Sequence, residues 1–491
     1  MLILTVHVAT AQDAVLIAED MVQYGRLGSS VAVDDAYVFA GNGVDAVYVY
    51  AKEEAGTWVE TQKLVMTIKL NNGHAVKVAA DSDRLLIGVW DNSNDRGGAY
   101  IYVNKPGVGW VLDTELIPDG FEPDTTYAGI YFPNSNYGAA VALEGDYALV
   151  GAPGQIYSTR PGLGTVFVFR KDASEGWIQH ARLTASPTSQ DDGFGASVSI
   201  SDDLILVGAP THFFSFQLGS AYVFHLNPEQ QWTQVAKLQP SDGQPNDAFG
   251  ASVDIHDHHA LVGAPSFSKS YIFHTTAPEQ WIEKARWEPP GGEGFFGASV
   301  ALQGRHALIG SARTLFTGGL TGGGIAYLYS YDAETDTWAT KDQFTASSLG
   351  SSDGHGAAVA LNNDLLVVGA PYQNHAVAQE GSVYLYPFQA SGTTIEPVPS
   401  RVKVGPTLSS FPNPSHGFST IQFSVSEGAP ALTEVAVFDL LGRKKVVLLD
   451  GVLAAGDYSV NWAADILPNG VYLCQLRVGG TVTSHKVVLL Q

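Results

Sequence analysis

The chain has 491 residues, of which 45% are hydrophobic, 53 are glycine and one is cysteine, and its formal net charge is −23. A single cysteine excludes an intramolecular disulfide, and no apolar run after the N-terminus has the length of a membrane-spanning helix. So acidic a chain repels nucleic-acid phosphates and anionic membranes, and because residues 401–491 hold seven Lys/Arg against six Asp/Glu, the acidic excess lies ahead of them.

Residues 1–11, MLILTVHVATA, are apolar and end in an Ala-x-Ala pattern, which predicts the end of a secretory signal; a buried first strand is the alternative. The segment DAVLIAED (13–20) reads as the tail of a strand. A repeat then begins. Thirteen residues separate Gly28 from Gly41, Gly138 from Gly151, Gly195 from Gly208, Gly250 from Gly263, Gly297 from Gly310 and Gly356 from Gly369. A looser copy runs from Gly73 to Gly88. Each unit opens with a small-residue strand such as GASVSI, makes a tight polar turn, and continues in a strand ending in VGAP or similar. An aromatic alternating strand follows a variable loop, and a last strand starts near Trp58, Trp110, Trp177, Trp232, Trp281 or Trp338. Period-2 alternation between turn residues signals antiparallel strands, and four strands per repeat predict the blades of a propeller.

Seven copies predict a seven-bladed propeller over residues 12–390. The last copy stops at VYLYPFQ without its fourth strand, so residues 13–20 are expected to supply it and close the ring. The pairs Phe194–Val198 with Val207–Pro210 and Phe249–Val253 with Val262–Pro265 resemble FG-GAP repeats, the blades of integrin-type propellers and of many bacterial surface proteins. Calcium-binding members carry acidic DxDxDG-type loops. Here Asp91, Asn92, Asn94 and Asp95 come nearest, without a full ligand set, so no cofactor is expected and calcium is doubtful.

The second-to-third-strand and blade-to-blade connections of such a unit emerge on one face, and here they are long, as in residues 89–97, 119–138, 153–164, 210–219, 311–324 and 371–381. The other turns are short. Candidate ligand-binding residues on the long loops are Trp90, Arg96, Tyr131, Phe132, Tyr157, Arg160, Phe213, Phe214 and Tyr372, an aromatic and arginine mixture suited to recognition. Catalytic signatures do not hold. Gly350–Gly354 matches GxSxG without a following helix, His256–His259 falls on a tight turn, Thr317–Gly324 lacks a helix N-terminus, and Asp191, Asp192 and Asp353 sit in turn-rich loops.

Residues 391–406 are rich in Pro, Thr and Ser and read as a linker. Residues 407–491 show short alternating strands, which predict a small Ig-like antiparallel sandwich, with Cys474 inside it. The motifs here resemble the type A sorting domain of the type IX secretion system. They comprise Phe411, Pro412, Asn413 and Pro414; Gly442 and Arg443; Gly470 and Tyr472; and Lys486 near the end. That resemblance implies export across a Gram-negative outer membrane by the type IX machinery. The reading is an all-β, monomeric, secreted or cell-surface binding protein that takes an extracellular protein or glycan and is not an enzyme. The alternative is an extracellular polysaccharide-active propeller, a lyase or hydrolase, and a third reading is a purely structural surface part.

Overall fold

In the computed structural model the thirteen-residue glycine interval is a hydrogen bond. The Gly195 amide donates to the Gly208 carbonyl at 3.0 Å, and the same bond joins Gly28 to Gly41, Gly138 to Gly151, Gly250 to Gly263 and Gly356 to Gly369. Each bond brings the entry of a first strand to the exit of its neighbour.

The structure describes the chain apart from residues 1–7, 10–13, 21–22, 54–55, 67–75, 92–95, 120–129, 132–135, 155–163, 187–192, 211–217, 278, 290–293, 313–322, 333–334, 346–352, 376, 389–395, 399–407, 412–418, 426–430, 440–442, 454–455, 463–466, 468–469, 479–480 and 490–491. Met1–Phe388 and Gln389–Gln491 are separate units.

In the first unit the described residues form seven sheets, each built on four antiparallel strands. The first holds Ser30–Val33, Tyr37–Gly41, Ala46–Lys52 and Trp58–Val65; the second Val76–Asp81, Arg84–Asp91, Arg96–Lys105 and Gly109–Glu115. The third holds Ala140–Glu144, Tyr147–Ala152, Thr165–Asp172 and Gly176–Leu183; the fourth Ser197–Ser201, Leu204–Ala209, Ser220–Leu226 and Trp232–Leu238. Ser252–His256, His259–Ala264, Lys269–Ala277 and Gln280–Trp287 make the fifth, and Phe296–Gln303, His306–Ser311, Ile325–Asp332 and Thr337–Phe344 the sixth. The seventh takes Ala358–Leu361, Leu365–Ala370 and Ser382–Pro387, and its fourth strand is Ala14–Leu16, paired antiparallel with Val383–Leu385. Each first strand lies beside that of the next sheet, and the seventh lies beside the first. The fold is a β-propeller.

The repeated residues make the contacts between sheets. A Cβ on Gly208, Gly263, Gly310 or Gly369 would overlap the carbonyl oxygen of Gly250, Gly297, Gly356 or Gly28, so only glycine permits this approach. Ser197, Ser252 and Ser299 donate to the carbonyls of Gly250, Gly297 and Gly356 at 2.8 Å. In the fourth, fifth and sixth repeats the phenylalanine before the entry glycine is an anchor. Phe194, Phe249 and Phe296 are buried edge-on against third-strand pairs, Tyr222 with Phe224, Tyr271 with Phe273 and Tyr327 with Tyr329. Such pairs add about 0.5–1.5 kcal/mol beyond their burial. The tryptophans near the fourth strands pack on the preceding sheet: Trp110 on Tyr37 and Phe39, Trp232 on Tyr147, and Trp338 on His259.

Three observations fall within the segments singled out above. Lys77 pairs with Gly88, as Ala140 does with Gly151 and Ser197 with Gly208. Ala75 and Gly73, the sequence positions before this strand, lie outside the described residues. Val8–Ala9, within the expected signal, runs parallel to Gln343 and Phe344. Glu396–Val398, within the expected linker, pairs with Asp457–Ser459.

The second unit contains two four-stranded antiparallel sheets among its described residues. One has the strands Leu408–Phe411, Ser419–Val425, Gly456–Trp462 and Glu396–Val398; the other has Ala431–Phe438, Lys444–Leu453, Gly470–Val478 and Thr481–Leu489. Ile421, Phe423, Val435, Val437, Trp462 and Cys474 meet between them. Burial pushes the Cys474 thiol up to about 12, which keeps it a neutral core group.

Candidate binding face

The sheet-to-sheet connections and the second-to-third-strand connections are stitched together on one face of the first unit. Leu27 bridges Gly381, Gly219 bridges Phe249, and the His355 amide donates to the Gly323 carbonyl at 2.8 Å. The Asn136 side-chain amide reaches the Gly154 carbonyl at 2.8 Å. On the opposite face the chain reverses in tight turns, as where Ser201 pairs with Leu204 and His256 with His259.

A shared backbone device aims the chain on the loop face. The residue two before each entry glycine has positive φ: Arg26 55°, Asn136 51°, Gly193 67°, Ala248 58°, Phe295 65° and Gly354 73°. Its carbonyl accepts from the amide three residues on, at 2.9–3.2 Å. Asn and Gly suit this left-handed conformation; Ala and Phe pay about 1–2 kcal/mol for it. At Phe295 the strained residue is also an exposed ring, 44% accessible. Phe267, in the second-to-third connection of the fifth sheet, is 47% exposed, and Tyr24, in the connection to the first sheet, 53%. None of these three stands among the sequence candidates. Phe295 carries a readable signal: in the Phe295-Phe296 doublet the second ring is the buried anchor, which leaves the first at a position held elsewhere by Gly193 and Gly354.

Three sequence candidates do come together. Trp90 pairs with Gly97, Asp91 with Arg96, and a short added strand, Ile130–Tyr131, sets Ile130 opposite Gly97 and Tyr131 opposite Arg96. Trp90, Arg96 and Tyr131 therefore sit on adjacent strands within two registers, and the Trp90 side chain is partly buried. Tyr372 packs within the fold. Its ring lies 5.5 Å from the Arg26 guanidinium and against Gly354, and its amide donates to the Asp353 carbonyl. Phe132, Tyr157, Arg160, Phe213 and Phe214 lie outside the described residues, as do Asn92, Asn94, Asp95, Asp191, Asp192 and the Thr317–Gly322 part of the glycine-rich loop.

Several described titratable groups are buried within the fold. Glu144 accepts from the Asp202 amide of the next sheet at 2.8 Å, and burial, with the Asp202 charge nearby, raises its pKa to about 7. Burial raises Asp34 to about 6 while it accepts from the amides of Ala36 and Tyr37. His259 is lowered to about 3 by burial and stays neutral against Trp338 and His274. His355 replaces the anchoring phenylalanine of the seventh repeat, and burial lowers it to about 3. Its Nε2 lies 3.0 Å from the Tyr386 hydroxyl. Among the described residues no three His, Cys, Asp or Glu side chains converge on a metal position.

The first strands enclose a central channel of about 200 Å³, lined by small and β-branched side chains from all seven sheets. Lys77 is the one charged side chain among its lining residues.

In the second unit, Arg443 closes the turn after Ala431–Phe438. Its amide and Nε donate to the Asp439 carboxylate at 2.9 and 2.7 Å, and the Asp439 amide returns a bond to the Arg443 carbonyl. Tyr472 is buried, Gly470 opens its strand, and Lys486 is exposed opposite Leu473. Phe411 pairs with Thr420 through the backbone. Pro412, Asn413, Pro414 and Gly442 lie outside the described residues.

The FG-GAP repeat family matches residues 177–224, 232–271 and 338–386. The secretion system C-terminal sorting domain matches residues 409–490. No curated protein matches the chain. Solved structures that it resembles include the WD40 beta propeller domain of Doa1, at 12% identity over 77% of this chain and 97% of that one, with a TM-score of 0.42. The computationally designed Ika8 protein matches at 12% identity and a TM-score of 0.42, over 77% of this chain and all of that one. The chain carries FG-GAP repeats and a type IX C-terminal sorting domain, which places it outside the cell, secreted or at the outer-membrane surface.

Proposed function

We propose that this FG-GAP repeat chain is a surface or secreted binding protein. Its seven-bladed ring presents the loop-rich face to an extracellular protein or glycan, without catalysis and as a monomer, and its Ig-like C-terminal sandwich serves export through the secretion machinery. The observation that carries this reading is the asymmetry of the ring. Exposed aromatic rings at Tyr24, Phe267 and Phe295 stand on the face of long connections, and two of them, Tyr24 and Phe295, hold the left-handed backbone conformation. Strain of this kind tends to persist where function holds it. Large apolar side chains left in water fit a contact surface.

The test is a screen of the full chain on glycan and surface-protein arrays, run beside a polysaccharide-degradation assay. Saturable binding without cleavage supports the reading. Depolymerisation of any glycan would replace it with the extracellular polysaccharide-active enzyme, and binding to neither array would leave a purely structural part.

A further inference from the structure

The channel is unusual in its charge. Ser30, Ala140, Ser197, Ser252, Ser299 and Ala358 occupy the ring position opposite the second-strand glycine, and only the second sheet puts a cation there. That cation is Lys77. Among the described residues no carboxylate lines the channel beside it. Its side chain lines the channel and is half-buried, and burial lowers the ammonium pKa from its ordinary value. An uncompensated cation in such surroundings is costly unless an anion or ordered water meets it. Three of the four neighbouring hydroxyls are already committed as donors. Ser197, Ser252 and Ser299 spend their protons on glycine carbonyls, and Ser30 accepts from the Val78 amide. One strong donor in a ring of small side chains suits a single carboxylate better than a phosphate, which needs several donors to replace its hydration.

We infer that the central channel is a binding site for a small monocarboxylate, anchored by the Lys77 ammonium and enclosed by the small first-strand side chains. This site is independent of the loop face. A ligand here would be a sugar acid or a short organic acid, since the channel volume of about 200 Å³ admits a small molecule and no folded partner.

The test is thermal unfolding of the full chain titrated with acetate, lactate and glucuronate at constant ionic strength, with glucose as the neutral control. Wild type is expected to show a saturable rise of about 3 °C at a hundredfold excess over Kd for at least one acid, and none for glucose. Lys77→Met should fold and lose the response, and Lys77→Arg should keep it. Direct binding is read in parallel from the NMR shift of the lysine ε-methylene signal that disappears in Lys77→Met. An equal response in Lys77→Met, or neither stabilisation nor a shift in wild type up to 100 mM acid (roughly the weakest affinity worth the name), overturns the proposal.

Discussion

At the scale of single residues, two kinds of environment oppose the preference of the side chain they hold. Ala248 and Phe295 hold positive φ of 58° and 65°, where the third and seventh repeats use Asn136 and Gly354. Ala248→Gly is expected to raise stability by about 1 kcal/mol, since relief of the left-handed cost outweighs the added unfolded-state entropy. Phe295→Gly should gain similarly in urea unfolding while weakening ligand binding, because the ring it removes is solvent-facing. A loss of stability in Phe295→Gly would mean that the ring is packed. Glu144 is the second case. Its pKa rises from 4.5 to about 7 in the folded state. The folded chain therefore holds this proton more tightly than the unfolded chain does. The stability it brings is complete below 4.5 and is lost as pH climbs through 7. Glu144→Gln keeps an acceptor for the Asp202 amide and removes the buried charge. It should stabilise the protein at pH 8 by about 2 kcal/mol, less than the full shift implies because the carboxylate retains some solvent, and hardly at all at pH 4. A difference in melting temperature that does not widen with pH would refute this assignment.

At the scale of elements, the repeat was legible because its glycines carry two constraints at once. One is the intra-sheet bond from Gly195 to Gly208 and its copies, and the other is contact with the next sheet. Gly263→Ala would set a methyl group into the Gly297 carbonyl oxygen and the Ser252 hydroxyl, and backbone there cannot yield without parting two sheets. The expected cost is about 3 kcal/mol or more. Gly451→Ala, with open space around it, is the neutral control. Where the glycine is missing, the sequence misleads. The second repeat keeps no glycine thirteen residues before Gly88, so spacing alone drew the register to Gly73 and hid the pairing of Lys77 with Gly88. Val8–Ala9 and Glu396–Val398 escaped for a different reason. Segments of two or three residues show no period, and their pairing partners, Gln343 and Phe344 for one and Asp457–Ser459 for the other, are remote in the chain.

At the scale of the whole molecule, strand order, closure by Ala14–Leu16 and the division between the long-loop and tight-turn faces follow from alternation and loop length, which are local properties of the text. Exposure is not. Tyr372 stands among the sequence candidates and Phe295 does not, yet the first lies against Arg26 and Gly354 while the second stands in solvent, and only packing separates them. The account depends on one-sided recognition. Its direct test is the affinity of the full chain for its strongest array ligand, compared between two double variants. Phe267→Ser with Phe295→Gly alters the loop face; Glu144→Gln with His258→Ser alters the tight-turn face. Binding should fall about tenfold or more in the first, with melting temperature retained, and stay unchanged in the second. Loss confined to the second variant, or equal affinity in both, would contradict it.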